Sequence, residues 1–383
     1  MEDNPMANTL DEVAPQLIAQ GLMALRENAI MPRIVNMDYE ATARQKNQTV
    51  DVPIPSAIAA QDVTAANTPP STADVAPTSA TITLDQWKEA PFYMTDTDVA
   101  KSLSGVMPIQ ASEAVKALGN AVDNYCQDLY VGVYGVAGAA GTTPFASTVA
   151  EATEARKVLN NQLAPLSDRR LVLDPDAEAN FLGLGAILQA DQRGDQGGII
   201  EGSMGRKLGF DCFMSQNVNT HTTGAAGTVL VDDAGAVAVG ATTIHMDGLT
   251  TKPSVGDVFT IAGDTQTYTV TASTTLVGTD SDVSFLPGLK VAIATGDGNE
   301  AVTFKASHVV NLAMHRDAIA LATRPLMDIG GGMGNIIQSA TDPVTGLTLR
   351  LEISREHKRT RFSYDLLYGA TLIRPELAVR LMG

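Results

Sequence analysis

One segment of this chain cannot build a core, and any fold must find a place for it. Thr49 to Ile54 alternates polar residues with Val50, Val52 and Ile54, and Thr81 to Leu84 alternates them with Ile82 and Leu84. That is the period of a strand. Between the two, Pro55 to Ala80 is built mainly from Ala, Pro, Thr and Ser. Connections of that length in compact domains are either functional or without fixed structure. An isolated two-stranded arm is marginally stable in water. A surface loop and an arm laid along another subunit are equal readings of this composition.

Charge narrows the classes. The 383 residues carry 26 Lys and Arg against 43 Asp and Glu, a net charge of −17. A sequence-independent DNA binder neutralises phosphates with cations, and an anionic membrane surface attracts them, so both are disfavoured. Aromatic residues are 5%, too few for a stacking platform for single strands. The two cysteines, Cys126 and Cys212, exclude a disulfide scaffold and a four-cysteine zinc site. The acidic start, Met1-Glu2-Asp3-Asn4, is unlike a secretory signal, and the apolar run Val131 to Gly141 is too short to span a membrane. The expectation is a soluble, cytosolic chain.

The rest of the chain reads as mixed α and β. Thr9-Leu10-Asp11-Glu12 is a capping-box pattern opening a helix that Pro15 kinks and Pro32 ends. From Ser112, the residues Val115, Leu118, Val122, Tyr125, Cys126, Leu129, Tyr130 and Val133 recur at helical spacing. They form one apolar stripe on a helix of about 20 residues, roughly 30 Å long, with Cys126 packed in it. Thr148-Val149-Ala150-Glu151 is a second capping box, and Asp174-Pro175 caps a further helix after the short strand Leu171 to Leu173. Phe210 to Val218 is a strand.

From Asn217 to Lys305 the composition shifts to Thr, Gly, Val, Ala and Asp, with nine acids against three lysines. Short strand patterns recur there at Thr228 to Val231, Thr243 to Met246, Val255 to Ile261, Gln266 to Thr271, Leu289 to Ile293 and Ala301 to Phe304, the spacing of a small sandwich or barrel. The chain closes on a hairpin: Leu347, Leu349, Leu351 and Ile353, then Thr360, Phe362, Tyr364 and Leu366, with a turn near Glu356-His357. Charges facing each other across it are expected to pair.

No motif for catalysis survives inspection. His315-Arg316-Asp317 lacks the Asn that a kinase loop needs, since Ala322 stands there. Asp174, Asp176, Glu178 and Asn180 are spaced like a calcium loop, but Ala179 and Gly185 occupy its Gly and Glu positions. Gly330 to Gly334 has no Lys-Ser/Thr ending, and Arg193-Gly194-Asp195 is a chance tripeptide. The five histidines, His221, His245, His308, His315 and His357, show no metal spacing, and there is no Gly-x-Ser-x-Gly. No catalytic, cofactor-binding or metal-ligating residue is assigned.

Several fragments, in order, resemble one family. They are Met6-Ala7-Asn8-Thr9-Leu10, then Gly205-Arg206-Lys207-Leu208-Gly209-Phe210-Asp211 with Met214-Ser215-Gln216-Asn217-Val218. Ala313-Met314-His315-Arg316-Asp317-Ala318 with Arg324-Pro325-Leu326 follows, and Tyr364-Asp365-Leu366-Leu367-Tyr368-Gly369 with Arg374-Pro375-Glu376 closes the series. The chain resembles a tailed-phage major capsid protein of the Hong Kong 97-type fold, in the podovirus-type branch whose coat proteins carry an inserted β-domain. The resemblance implies an α+β fold with an N-terminal arm (1–44), an extended loop (45–94) and a peripheral domain (95–148 and 340–383) with its spine helix at 112–133. It also implies an axial domain (149–216 and 306–339) and an inserted all-β domain (217–305).

The implied function is self-assembly as hexamers and pentamers into an icosahedral shell around double-stranded DNA that is enclosed without sequence-specific binding. A separate scaffolding protein, a portal at one vertex and a decoration protein are the implied partners, with assembly in the host cytoplasm and no cofactor or membrane. Candidate inter-subunit contacts are Arg33, Arg44, Trp87, Arg350, Arg359 and Arg361. The rival readings are a hydrolase with an accessory β-domain and an extracellular adhesin or surface-layer protein.

Overall fold

The computed structural model describes residues 15, 17–23, 29–38, 47–54, 78–95, 106–188, 202, 204–233, 235–294, 300–326, 335–342 and 345–383. Glu12, Arg44, most of the Pro55 to Ala80 segment, Arg193-Gly194-Asp195 and Gly330 to Gly334 lie outside the described residues. The chain divides into two compact units.

The first unit comprises Met1–Arg26, Met37–Leu118 and Ala320–Ile373. Its centre is the strand Arg359–Leu372, fourteen residues long and buried along most of its length. Thr348–Glu356 pairs with it antiparallel, placing Arg350 opposite Asp365 and Glu356 opposite Arg359, and Ile336–Thr341 continues the sheet beyond. Leu349, Leu351 and Ile353 face Phe362, Tyr364 and Leu366 from the buried side. The turn is at His357 and Lys358, within one residue of its expected place. Gln86–Thr95 also pairs with the long strand, Arg359 opposite Thr95 through Tyr368 opposite Gln86.

The two alternating stretches pair with each other antiparallel as Thr49–Ile54 and Thr78–Thr83. Their alternation has its cause inside the same unit. Val50, Val52, Ile82 and Leu84 are buried with Ala320, Ala322 and Leu367 in one cluster. The apolar face of the described part of the arm is thus covered by its own chain. Backbone approach is close at Gly369, where a Cβ would lie 2.0 Å from the Thr83 carbonyl oxygen.

The second unit comprises Glu27–Asn36, Gly119–Ile319 and Arg374–Gly383. A mixed sheet runs in the order Gly135–Gly138, Ala378–Met382, His308–His315, Arg169–Leu173, Phe210–Met214, Arg206–Lys207, with Thr220–His221 paired to the start of His308–His315. Asp174 caps the helix Pro175–Gly183 by accepting from the Asp176 amide at 3.2 Å, as the sequence indicated. Residues 340–383, expected as one stretch of a single domain, divide between the units at Ile373 and Arg374, because Ala378–Met382 pairs with His308–His315 and Gly135–Gly138.

Within the same unit six strands close a barrel in the order Thr243–Thr251, Ser281–Leu286, Tyr268–Ser273, Val258–Ile261, Ala301–Phe304, Ala226–Val231. Inward alternation fills it with Val229, Val231, Ile244, Met246, Leu249, Ile261, Val270, Val283 and an aromatic group of Phe259, Tyr268 and Phe285. Its tightest corner joins Gly227 and Gly248, at φ +124° and +81°, where a Cβ on either would strike the other strand's backbone at 2.1 Å. Only glycine allows that bulged approach.

Three local expectations are corrected. The long helix spans Val106–Asp128, beginning six residues before Ser112, and ends in a 3-10 turn at Leu129–Gly132. The second capping box does not form: Val149 is the N-cap of Ala150–Asn161, and Thr148 Oγ1 only accepts from the Ala150 amide at 3.3 Å. Leu289 to Ile293 is not a strand beyond a single bridge from Ile293 to Val237. The barrel strand is Ser281–Leu286, whose polar Asp282 and Ser284 face outward between Val283 and Phe285.

Candidate functional site

Four of the six candidate contact residues belong to the terminal sheet of the first unit, where the alternation that buries Leu351 and Phe362 turns their neighbours to the other face. Asp365 is the anchor of that face. It accepts two hydrogen bonds from Arg350 Nε, at 2.9 and 3.1 Å, a further short one from Arg350 Nη2, and one from Trp87 Nε1 at 3.3 Å. Arg350 also reaches Glu352 at 3.7 Å. Burial pushes the Asp365 carboxyl above its ordinary range, and the Arg350 fork and the Trp87 indole pull it back only in part.

Beside this pair Arg361 Nη2 donates to both Glu89 oxygens at 2.9 and 2.8 Å, and Ser363 Oγ donates to the same carboxylate at 3.1 Å. At the hairpin end Arg359 Nε donates to Glu356 at 2.7 Å and its guanidinium lies 4.5 Å from the Tyr93 ring centroid. The expected cross-strand charge pairing is therefore made. Trp87 and Tyr93 remain about half exposed, at 48% and 49%. Two aromatic faces framed by arginines fixed in position are a surface of the kind enriched at protein contacts.

Arg33 lies in the second unit. Its side chain is exposed, and its carbonyl accepts from Arg170 Nη1 at 3.0 Å. Pro32 is not the end of a long helix but the first turn of a short one, Met31–Ile34. That helix has no cap of its own. Asp123 from the long helix accepts from the Ile30 and Met31 amides, both at 3.1 Å. Burial raises the Asp123 carboxyl to about 6, against the lowering pull of those amides, Asn217 and Arg33. No local pattern could have announced a cap drawn from 92 residues away.

Sequence reasoning also missed a polar group under the barrel. Arg380, fully buried, donates from Nη1 to the Gly256 carbonyl at 2.7 Å and from Nη2 to Thr269 Oγ1 at 3.0 Å and the Val131 carbonyl at 3.2 Å. Burial lowers it to about 9. Tyr130 covers it at 5.1 Å and shares a hydrogen bond with His221 Nδ1 at 3.0 Å. His221 Nε2 meets Asp257 at 2.8 Å. Asp257 also accepts from the Gly224, Ala225 and Ser254 amides. Its burial favours the neutral acid, but the hydrogen bonds from His221 and these amides outweigh that and hold the carboxyl below its ordinary range. This is a structural network: both Nη atoms of Arg380, Tyr130, His221 and Asp257 are bonded to neighbours, and Arg380 Nε is buried without a partner. Among the described residues no group of three or more His, Cys, Asp or Glu is placed to hold a metal ion, and no helix is long and apolar enough to cross a membrane.

No protein-family model matches the chain, and no curated protein matches its sequence. Solved structures do. A structure from Mycobacterium phage Che8 aligns over 92% of this chain and 90% of its own, at 16% identity and a TM-score of 0.51. The capsid structure of the cyanophage P-SCSP1u aligns over 92% and 87%, at 13% identity and a TM-score of 0.50. The chain has the fold of a phage capsid protein. At such low identity what is shared is the fold, and it spans both compact units of the capsid-like chain.

Proposed function

We propose that this chain is a major capsid protein, which assembles with copies of itself as hexamers and pentamers into the icosahedral shell enclosing phage double-stranded DNA. Its role is structural and involves no catalysis. The observation that carries the reading is the likeness of nearly the whole chain to the cyanophage capsid structure. The podovirus-type branch, with residues 217–305 as its inserted β-domain, is part of the same proposal, supported by the closed barrel from Ala226 to Phe304.

The extended loop is the proposed grip. Its two strands are anchored by Val50, Val52, Ile82 and Leu84 on their own unit. The segment between them, rich in Ala, Pro, Thr and Ser, reaches a neighbouring subunit. The exposed face of Trp87, Tyr93, Arg359 and Arg361 receives contacts, with Arg350 holding the Asp365 carboxylate to which Trp87 donates. Arg33 and Arg44 serve the N-terminal arm. A contact repeated around an axis closes rings, and many modest contacts per subunit raise the effective concentration of each. A scaffolding protein, portal and decoration protein are the proposed partners, within the virion and during assembly in the host cytoplasm.

Replacing residues 55–77 by a short Gly-Ser turn tests the grip. The expected product is a chain with unchanged circular dichroism and thermal melting that no longer forms particles in the electron microscope. Particles of normal yield and size would remove the loop from the account.

A further inference from the structure

A cleft in the second unit gathers three lysines in a chain whose net charge is −17. It has a volume of about 610 Å³ and lies between the helix Ala150–Asn161, the strand Gly135–Gly138 and the barrel. Lys157, Lys290 and Lys305 line it. They come from three separate elements: the helix, the segment after the barrel strand Ser281–Leu286, and the end of the strand Ala301–Phe304. The stretch 217–305 holds nine acids and only three lysines, yet two of those lysines are here.

Among the described residues, none of the three ammonium groups has an ion pair or hydrogen bond. The one acidic residue in the lining, Glu154, accepts from the Gly138 amide at 3.0 Å. The Lys290 backbone is fixed by the Tyr268 hydroxyl, which accepts from its amide at 3.1 Å. The remaining lining is rich in amides and hydroxyls: Asn161, Gln162, Gln266, Thr260, Thr265 and Thr267.

Three unneutralised ammonium groups around one concavity repel each other, and an anion relieves that. The shape and lining select its class. A duplex is far wider than such a cleft. No aromatic side chain lines it to stack a single-stranded base. Asn, Gln and Thr side chains suit the peptide bonds of an extended chain as well as its carboxylates. We infer that this cleft binds an acidic polypeptide segment, with Lys157, Lys290 and Lys305 pairing its carboxylates and the amide and hydroxyl side chains taking its backbone. The inference concerns this cleft alone and holds whether or not the chain builds a shell.

Fluorescence anisotropy of a labelled ten-residue peptide of alternating Glu and Ser, titrated with the purified, unassembled full chain, tests it. Binding that weakens steeply between 50 and 300 mM salt is expected, on the order of 3- to 10-fold weaker for each of Lys157→Gln, Lys290→Gln and Lys305→Gln and lost in the triple variant. Lys252→Gln removes the third lysine of the acidic stretch, outside the cleft, and leaves the affinity unchanged. Absence of peptide binding at 50 mM salt overturns the proposal. So does an equal loss with Lys252→Gln, or tighter binding of a ten-residue oligothymidylate or of inorganic phosphate through the same lysines.

Discussion

Gly369 sits in the longest strand of the terminal sheet, where any side chain would meet the Thr83 carbonyl. That backbone is also held by Thr371 Oγ1, which donates to the Thr81 carbonyl at 3.4 Å. Gly369→Ala is therefore expected to lift the base of the extended loop. A loss of about 1–3 kcal/mol in thermal or denaturant unfolding is predicted, the usual penalty of overpacking. Faster hydrogen exchange at the amides of residues 81–84 would locate it; unchanged exchange there would mean that the loop does not rest on this strand. A second residue-scale prediction concerns pH. Burial holds the His308 imidazole at about 4, below its ordinary 6.5, helped by Arg380 and His221 and opposed by the Ala306 carbonyl and Asp257. The unfolded chain binds that proton near 6.5 and the folded chain only near 4, so stability falls as pH drops through this window. Asp123 acts with the opposite sign: its carboxyl, raised to about 6, takes its proton in the folded state first, and its contribution grows as pH falls toward 3.8. Comparing wild type with His308→Gln separates the two. Between pH 6.5 and 4.5 the wild type should lose on the order of 2 kcal/mol relative to the variant. Parallel curves would show that His308 is not held neutral.

At the scale of elements, the arginine face of the terminal sheet separates folding from assembly. Trp87 is 48% exposed and contributes one hydrogen bond to an Asp365 that Arg350 already holds. Trp87→Ala should cost the isolated chain about 1 kcal/mol, the scale of that bond, and yet reduce particle yield severalfold if the exposed ring is a subunit contact. Undiminished yield would make it surface decoration. What could be read in advance also follows from the nature of each element. The hairpin, the loop strands and the barrel strands were legible because one face of each is buried, and burial writes a period of two into the sequence. Leu289 to Ile293 reads as a strand more readily than Ser281–Leu286 because it is more apolar, although Leu289 and Ile293 reach the barrel core from an irregular segment. Asp123 capping Met31–Ile34 and Arg380 holding Gly256, Val131 and Thr269 were illegible. Each joins elements distant in sequence, and a buried charge carries no periodicity. Among the candidate contacts, the charge pairs of Arg350 and Arg359 could be anticipated from the hairpin register. Glu89 as the partner of Arg361, and Trp87 as a donor to Asp365, required knowing that Gln86–Thr95 joins the same sheet.

For the whole molecule, the net charge of −17 suits the proposed container wall, whose like charge would leave enclosed DNA unattached. The lysine cleft is the local exception, and its size admits a peptide and not a duplex. The account rests on one property above all: copies of this chain tile. Sedimentation velocity of the full chain, recovered from cells that also produce the proposed scaffolding protein, measures that directly. Closed particles of many megadaltons are predicted, visible as uniform shells in the electron microscope. A chain that sediments as a monomer or small oligomer at every concentration, with the scaffolding protein present, would contradict it.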